Sequence, residues 1–183
     1  MAVVSPQPIL LKQGGTFVVR SAKAEDAGVL IEHAKSVLME GIFGVSQVDE
    51  FTFTLEQERD WIRQHNESPG DLVLVAEASG SVVALLFFES GPRKRQAHRG
   101  SLHMSVERVW RGKGVGEGLL NVLMAWAKEN PLIEKVGLSV LSSNTRAIGL
   151  YKKLGFIEEG RRPREIKMGP GEYVDEILMF RFA

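Results

Sequence analysis

Two strand-length apolar runs, residues 72–78 and 82–89, flank Ser79-Gly80, a pair suited to a tight hairpin turn. This hairpin makes a sheet the framework of the fold. What surrounds it decides the architecture. Residues 17–20 read as a further strand, followed by Ala27, Leu30, Ile31, Ala34 and Leu38 on one helical stripe. Residues 41–53 are irregular. Thr54 with Gln57 three residues later forms a capping box, which opens a second helix that buries Trp61 and Ile62. Past the hairpin, residues 91–100 are polar and basic and read as a loop into a strand over 101–106. A helix is predicted from Gly114 to Asn130, with Leu119, Leu120, Leu123 and Trp126 inward and Pro131 as its stop. Residues 136–141 form another strand. A helix over 145–154 ends at Gly155, and residues 156–160 and 176–182 supply two last strands. The order predicts an α/β mixed sheet, antiparallel in its first half, with one strand–helix–strand crossover in its second.

Composition narrows the function classes. A length of 183 residues suits one domain, taken as residues 17–183 behind an extension over residues 1–16. Lys plus Arg and Asp plus Glu balance at 23 each, so general nucleic-acid binding is not expected. With no cysteine and no zinc-like spacing among His33, His65, His98 and His103, no metal site is expected. Apolar runs are too short to span a bilayer, and residues 1–11 lack a basic leader and carry two prolines. A cytoplasmic protein without membrane partners is the expectation.

The chemistry concentrates in Arg111-Gly112-Lys113-Gly114-Val115-Gly116, wedged between the 101–106 strand and the long helix. Glycines at alternating positions let backbone N–H groups approach a ligand closely, and the following helix adds its positive end. Together they suit a phosphate or pyrophosphate, with charge added by Arg111 and Lys113. The alternative is a glycine-rich turn that only starts a helix. Neither better-known phosphate loop fits. A P-loop needs Ser or Thr where Gly114 follows Lys113, and the dinucleotide fingerprint's third glycine is Leu119 or Glu117, depending on the start.

This loop resembles the Arg/Gln-x-x-Gly-x-Gly/Ala motif of the GNAT acetyltransferase superfamily. A second segment strengthens the resemblance: Asn144, Ala147, Leu150 and Tyr151, then Gly155-Phe156, after the intervening strand. It implies a GNAT-type sheet of about seven strands flanked by about four helices and splayed at its centre to hold acetyl-CoA. Main-chain groups of Leu102, Met104 and Val106 would pair with the pantetheine arm as an added strand does. Residues Arg111 to Gly116 would hold the pyrophosphate. Asn144 would contact the cofactor or cap its helix. Tyr151 would be the general acid for the departing thiolate, or else a half-buried aromatic. His98 falls where some members place the general base; His103, on the opposite face of the strand, and Asp49 and Glu50 are further candidates.

Six acidic residues and one basic residue lie between Glu40 and Asp60, an acidic rim for a cationic amine or a solvated helix face. Arg93, Lys94, Arg95 and Arg99 form a basic loop with no evident partner. The resemblance implies direct acetyl transfer to a primary amine in a ternary complex. The acceptor is expected to be a small molecule such as an amino acid or amine. The alternatives are a protein N-terminus, as in ribosomal-protein-type members, or a coenzyme A-binding module without turnover. A homodimer is expected because small members often pair and an exposed sheet edge invites it.

Overall fold

A computed structural model describes residues 3–42 and 44–183. Eight strands form one sheet: β1 (Gln7–Leu10), β2 (Thr16–Ser21), β3 (Leu72–Ala78), β4 (Ser81–Ser90), β5 (Arg99–Val106), β6 (Lys135–Leu141), β7 (Ile157–Gly169) and β8 (Glu172–Phe182). Helices α1 (Ala27–Met39) and α2 (Leu55–Glu67) link β2 to β3. Helix α3 (Val115–Glu129) crosses from β5 to β6, and α4 (Thr145–Lys153) joins β6 to β7. The expected seven strands become eight because residues 7–10, ahead of the expected domain start, pair with β2 as an edge strand.

The spatial order is β1-β2-β3-β4-β5-β6-β8-β7, and every neighbouring pair is antiparallel except β5 and β6. Ser79 (φ 52°) and Gly80 (φ 77°) turn β3 into β4 as the sequence implied. Strand β3 is apolar on both faces because both are covered. Leu72, Leu74 and Ala76 pack with Leu119, Leu120 and Leu123 of α3. Val73 and Val75 pack with Leu30 of α1 and Ile62 of α2. Helix α4 adds Ala147, Leu150 and Tyr151 to the α3 side.

The decisive feature lies at the centre. Strands β5 and β6 pair only over Arg99–Lys135, Gly100–Val136 and Ser101–Gly137. Past that point β5 stays on β4 as far as Val106, while β6 stays on β8 as far as Leu141. The two strands part, as the resemblance implied. The Thr54 capping box is present, with Gln57 N–H donating to Thr54 Oγ1 at 3.2 Å and Thr54 N–H to Gln57 Oε1 at 2.8 Å. Trp61 is only half-buried, since part of its ring faces the cavity described below. Among the described residues, no helix is long and apolar enough to cross a membrane.

Gly100 sits where the gap begins and has no room for a side chain. A Cβ there would lie 2.3 Å from the Glu89 carbonyl oxygen and 2.3 Å from Phe88 Cζ. We predict that Gly100→Ala destabilises the fold by about 1–3 kcal/mol in urea unfolding. Gly149→Ala, where an added Cβ meets nothing within 4 Å, is the contrast. It should stabilise α4 by roughly 0.5–1 kcal/mol. Equal effects of the two would show slack at the root of the gap.

Candidate functional site

A cavity of about 1070 Å³ runs through the gap, from the α1–α2 side of the sheet to α4. Leu102, Met104 and Val106 line it along β5, while Ser139, Val140 and Leu141 line it along β6. Gly112, Gly114 and Gly116 form one end. Asn144 and Tyr151 lie on the α4 wall.

The glycine loop takes a shape that few other residues could adopt. Gly112 (φ 81°) and Gly114 (φ 99°) both hold left-handed backbone geometry. The N–H groups of Gly112, Lys113 and Gly114 have no hydrogen-bond partner among the described residues. Those of Val115 and Gly116 open the first turn of α3, where a helix supplies no acceptor. A row of unpartnered donors at a helix N-terminus suits an anion. The loop is also braced. Lys12 N–H donates to the Lys113 carbonyl at 3.0 Å, and a Cβ on Gly112 would lie 2.5 Å from Arg146 Nη2.

Two side chains of the loop have partners within the protein. The Arg111 guanidinium is held by a carboxylate. It grips both Glu40 oxygens, at 2.7 and 2.8 Å, and its Nε donates to the Val106 carbonyl at 2.8 Å. It fastens the loop to the end of α1. Lys113 Nζ lies 4.8 Å from the centre of the Trp110 ring, and Val115 is buried in the core beneath. These two residues offer main-chain groups to the loop, while their side chains are engaged elsewhere.

Asn144 caps α4, its Oδ1 accepting from Ala147 N–H at 3.2 Å, while its side chain also borders the cavity. The capping reading therefore holds, and the amide nitrogen is left for another partner. Tyr151 is 6% exposed, and burial pushes its phenol up to about 12. Phe156 N–H donates to the Tyr151 carbonyl at 3.0 Å past Gly155 (φ 83°), which fixes that turn of the helix.

His98 lies in the exposed turn before β5, with its carbonyl receiving Glu134 and Lys135 N–H, and does not border the cavity. Strand β5 begins at Arg99, two residues before the expected start, and His98 stays in the turn ahead of it. Asp49 and Glu50, exposed on a 3-10 turn (Val48–Glu50), also stay outside it. His103 does border the cavity. It stacks on Phe87, its cross-strand partner, at 4.7 Å and 16°. Desolvation lowers its pKa against the opposing pull of Glu89, so the ring is neutral near pH 7.

The α1–α2 end of the cavity is aromatic. Trp61 meets Phe87 edge-on at 5.3 Å, and Phe51 and Phe53 complete the wall. His65 Nδ1 is 2.8 Å from the Trp61 carbonyl and its Nε2 is 2.9 Å from Glu89 Oε1. Glu58, one turn before Trp61, is 7% exposed and borders the same chamber. Burial holds its carboxyl above the ordinary range, opposed by His65. The sequence marked Glu58 only as one acid among several. Its helical alignment with Ile62 and His65 is the signal that separates it from its solvated neighbours.

Beside the site, His33 of α1 is 3% exposed and hydrogen-bonds Ser105 Oγ through Nε2 at 2.8 Å. Burial, with help from the Arg111 charge and against the Ser105 contact, lowers its pKa to about 4. Glu107 at 4.0 Å therefore faces a neutral ring. Because the folded pKa lies below the unfolded one, His33 costs no stability above about pH 6.5. It withdraws stability as pH falls towards about 4, by up to about 3 kcal/mol. We predict that His33→Gln flattens the slope of unfolding free energy between those pH values relative to the unmodified protein. Parallel slopes would mean that the histidine titrates normally.

The acetyltransferase (GNAT) family model matches residues 42–156. An L-amino acid N-acetyltransferase of Escherichia coli is 28% identical over 158 residues, covering 84% of this chain and 97% of that protein. The crystal structure of a GNAT-family acetyltransferase from Streptococcus pneumoniae superposes with a TM-score of 0.88 at 26% identity. It covers 91% of this chain and 99% of the other. A phosphinothricin acetyltransferase from Sinorhizobium meliloti, solved with acetyl-CoA, shares the fold at a TM-score of 0.78 and 19% identity. That match covers 90% of this chain and 86% of the other.

Proposed function

The chain belongs to the acetyltransferase (GNAT) family, and on that premise we propose that it moves the acetyl group of acetyl-CoA to the primary amine of a small molecule. The observation that carries this reading is the gap between β5 and β6, which ends on the unpartnered N–H row at Gly112, Lys113 and Gly114. The residues present fit acetyl-CoA. The N–H row and the start of α3 suit its pyrophosphate, and Arg146 stands close beside Gly112. The backbone of β5 from Leu102 to Val106 lacks a strand partner on the gap side and suits an amide-bearing arm. At ~3.3 Å per residue, such an arm running back from Val106 reaches His103 after ~10 Å. The E. coli relative's amino acid acceptors favour a small amine-bearing acceptor here.

In this reading the amine nitrogen attacks the thioester carbonyl carbon, the C–S bond breaks, and the nitrogen loses a proton. His103 is the base. Its imidazole is neutral near pH 7, faces the cavity, and stands on the strand that guides the arm. Tyr151 stands across the gap on α4. Burial keeps the phenol protonated, with its pKa raised to about 12, so its proton is in place when the thiolate departs. Its hydroxyl donates to the charge growing on sulfur and can pass that proton on as the C–S bond breaks, in a buried setting where such a contact counts for more than in water.

Thiol release from acetyl-CoA should accelerate when primary amines are added. We predict that Tyr151→Phe lowers kcat by about 100-fold with little change in affinity for acetyl-CoA. A variant that keeps kcat within about threefold, with chemistry limiting, would make Tyr151 a packing residue.

A further inference from the structure

The aromatic chamber bears directly on which amine is used, an inference that rests on the acetyltransferase reading above. Glu58 is buried to nine-tenths, borders the cavity, and makes no ion pair or hydrogen bond through its side chain among the described residues. The other acids nearby are matched. Glu40 is held by Arg111, Glu89 contacts His65, and Glu176 is held by Arg162. Its carboxyl oxygens are not enclosed but open onto the cavity, where an entering cation or strong donor can meet them.

Of the cations that line the cavity, three are paired and the fourth lies at the glycine loop. Lys12 and Lys153 both bind Glu117, at 2.9 and 2.5 Å; Arg111 is taken by Glu40; Arg146 lies beside Gly112. His103, the remaining basic side chain facing the chamber among the described lining residues, is stacked and neutral near pH 7. A free α-amino acid would therefore bring its carboxylate next to Glu58 and the aromatic wall with nothing to neutralise it. Like charges held close across a binding site oppose one another. An amine without a carboxylate meets no such opposition. Its ammonium matches Glu58, and its apolar part fills the space bordered by Trp61 and Phe87.

We propose that the acceptor is a hydrophobic primary amine lacking a carboxylate, aromatic or branched, whose ammonium is received by Glu58 and whose apolar part packs against Trp61, Phe87, Phe51 and Phe53. Glu58 is thus a specificity-determining residue: the ammonium it receives gives one proton to solvent to become the free amine, and His103 takes the second as the nitrogen attacks.

The test uses matched pairs: 2-phenylethylamine against phenylalanine, and 3-methylbutylamine against leucine, followed by thiol release at saturating acetyl-CoA. Each amine should exceed its amino acid by about 100-fold or more in kcat/KM. Glu58→Gln should raise KM for the amines by about tenfold. It should leave the rise in melting temperature with acetyl-CoA unchanged. Amino acids used as well as the amines, or an unchanged KM in Glu58→Gln, would overturn the proposal. Should Glu58→Gln fail to fold, the matched pairs on the unmodified protein decide alone. If no compound in the panel is turned over, the proposal falls. The melting temperature then tells the two readings apart: a rise with acetyl-CoA leaves coenzyme binding standing, and no rise removes that too.

Discussion

After three paired residues β5 and β6 separate, and everything else in the site depends on that separation. A gap in the middle of a sheet leaves main-chain N–H and C=O groups without their usual partners. Buried and unpaired, each would cost about 1–3 kcal/mol. The gap persists because neither wall needs the other. β5 keeps its ladder with β4 from Gly100 to Val106, and β6 keeps its ladder with β8 from Lys135 to Leu141. The exposed groups stay solvated until a ligand with its own amides pairs with them. An extended arm can thus bind as a strand would, with no sequence-specific side chains required along β5.

The glycine loop is held from three sides, so the donor row is set in advance. Arg111 ties it to Glu40 at the end of α1, Lys12 N–H bonds the Lys113 carbonyl, and Arg146 of α4 abuts Gly112. A donor row fixed before binding avoids much of the ordering cost that a flexible loop would incur. The same contacts join elements far apart in sequence. The turn after β1, helix α1 and helix α4 all meet at one loop. The edge strand β1 matters for this reason: it delivers Lys12 to the site, so the first residues of the fold serve the binding end.

Much of this was legible in the chain. Periodicity placed α1, α2, α3 and α4 and the β3–β4 hairpin because each buries a clear stripe or face. The loop at Gly112 and the second segment at Asn144 marked the gap. The β7–β8 hairpin was read too short. Residues 161–168 carry charge on both faces and include Pro163, so no alternation shows. Their pairing rests on cross-strand ion pairs, Arg161 with Asp175 and Arg162 with Glu176, at 2.8 and 2.7 Å. Side-chain assignments were harder still. A basic residue in a phosphate loop looks like a ligand, and nothing in the chain shows that Arg111 pairs with Glu40, 71 residues away in sequence. His98 and His103 look alike as bases on paper. Only the fold shows that one sits in an exposed turn and the other on the cavity wall. Glu58 hides among solvated acids for the same reason, since burial is a property of the assembled chamber.

The central claim is that the gap and the glycine loop together receive acetyl-CoA, and amide hydrogen exchange read peptide by peptide tests it directly. With acetyl-CoA added, the account predicts slower exchange in peptides covering residues 102–106 and 112–117, the unpartnered N–H groups of β5 and the loop, with the hairpin over residues 157–182 unchanged. Protection confined to other segments, or none in these two, would contradict it.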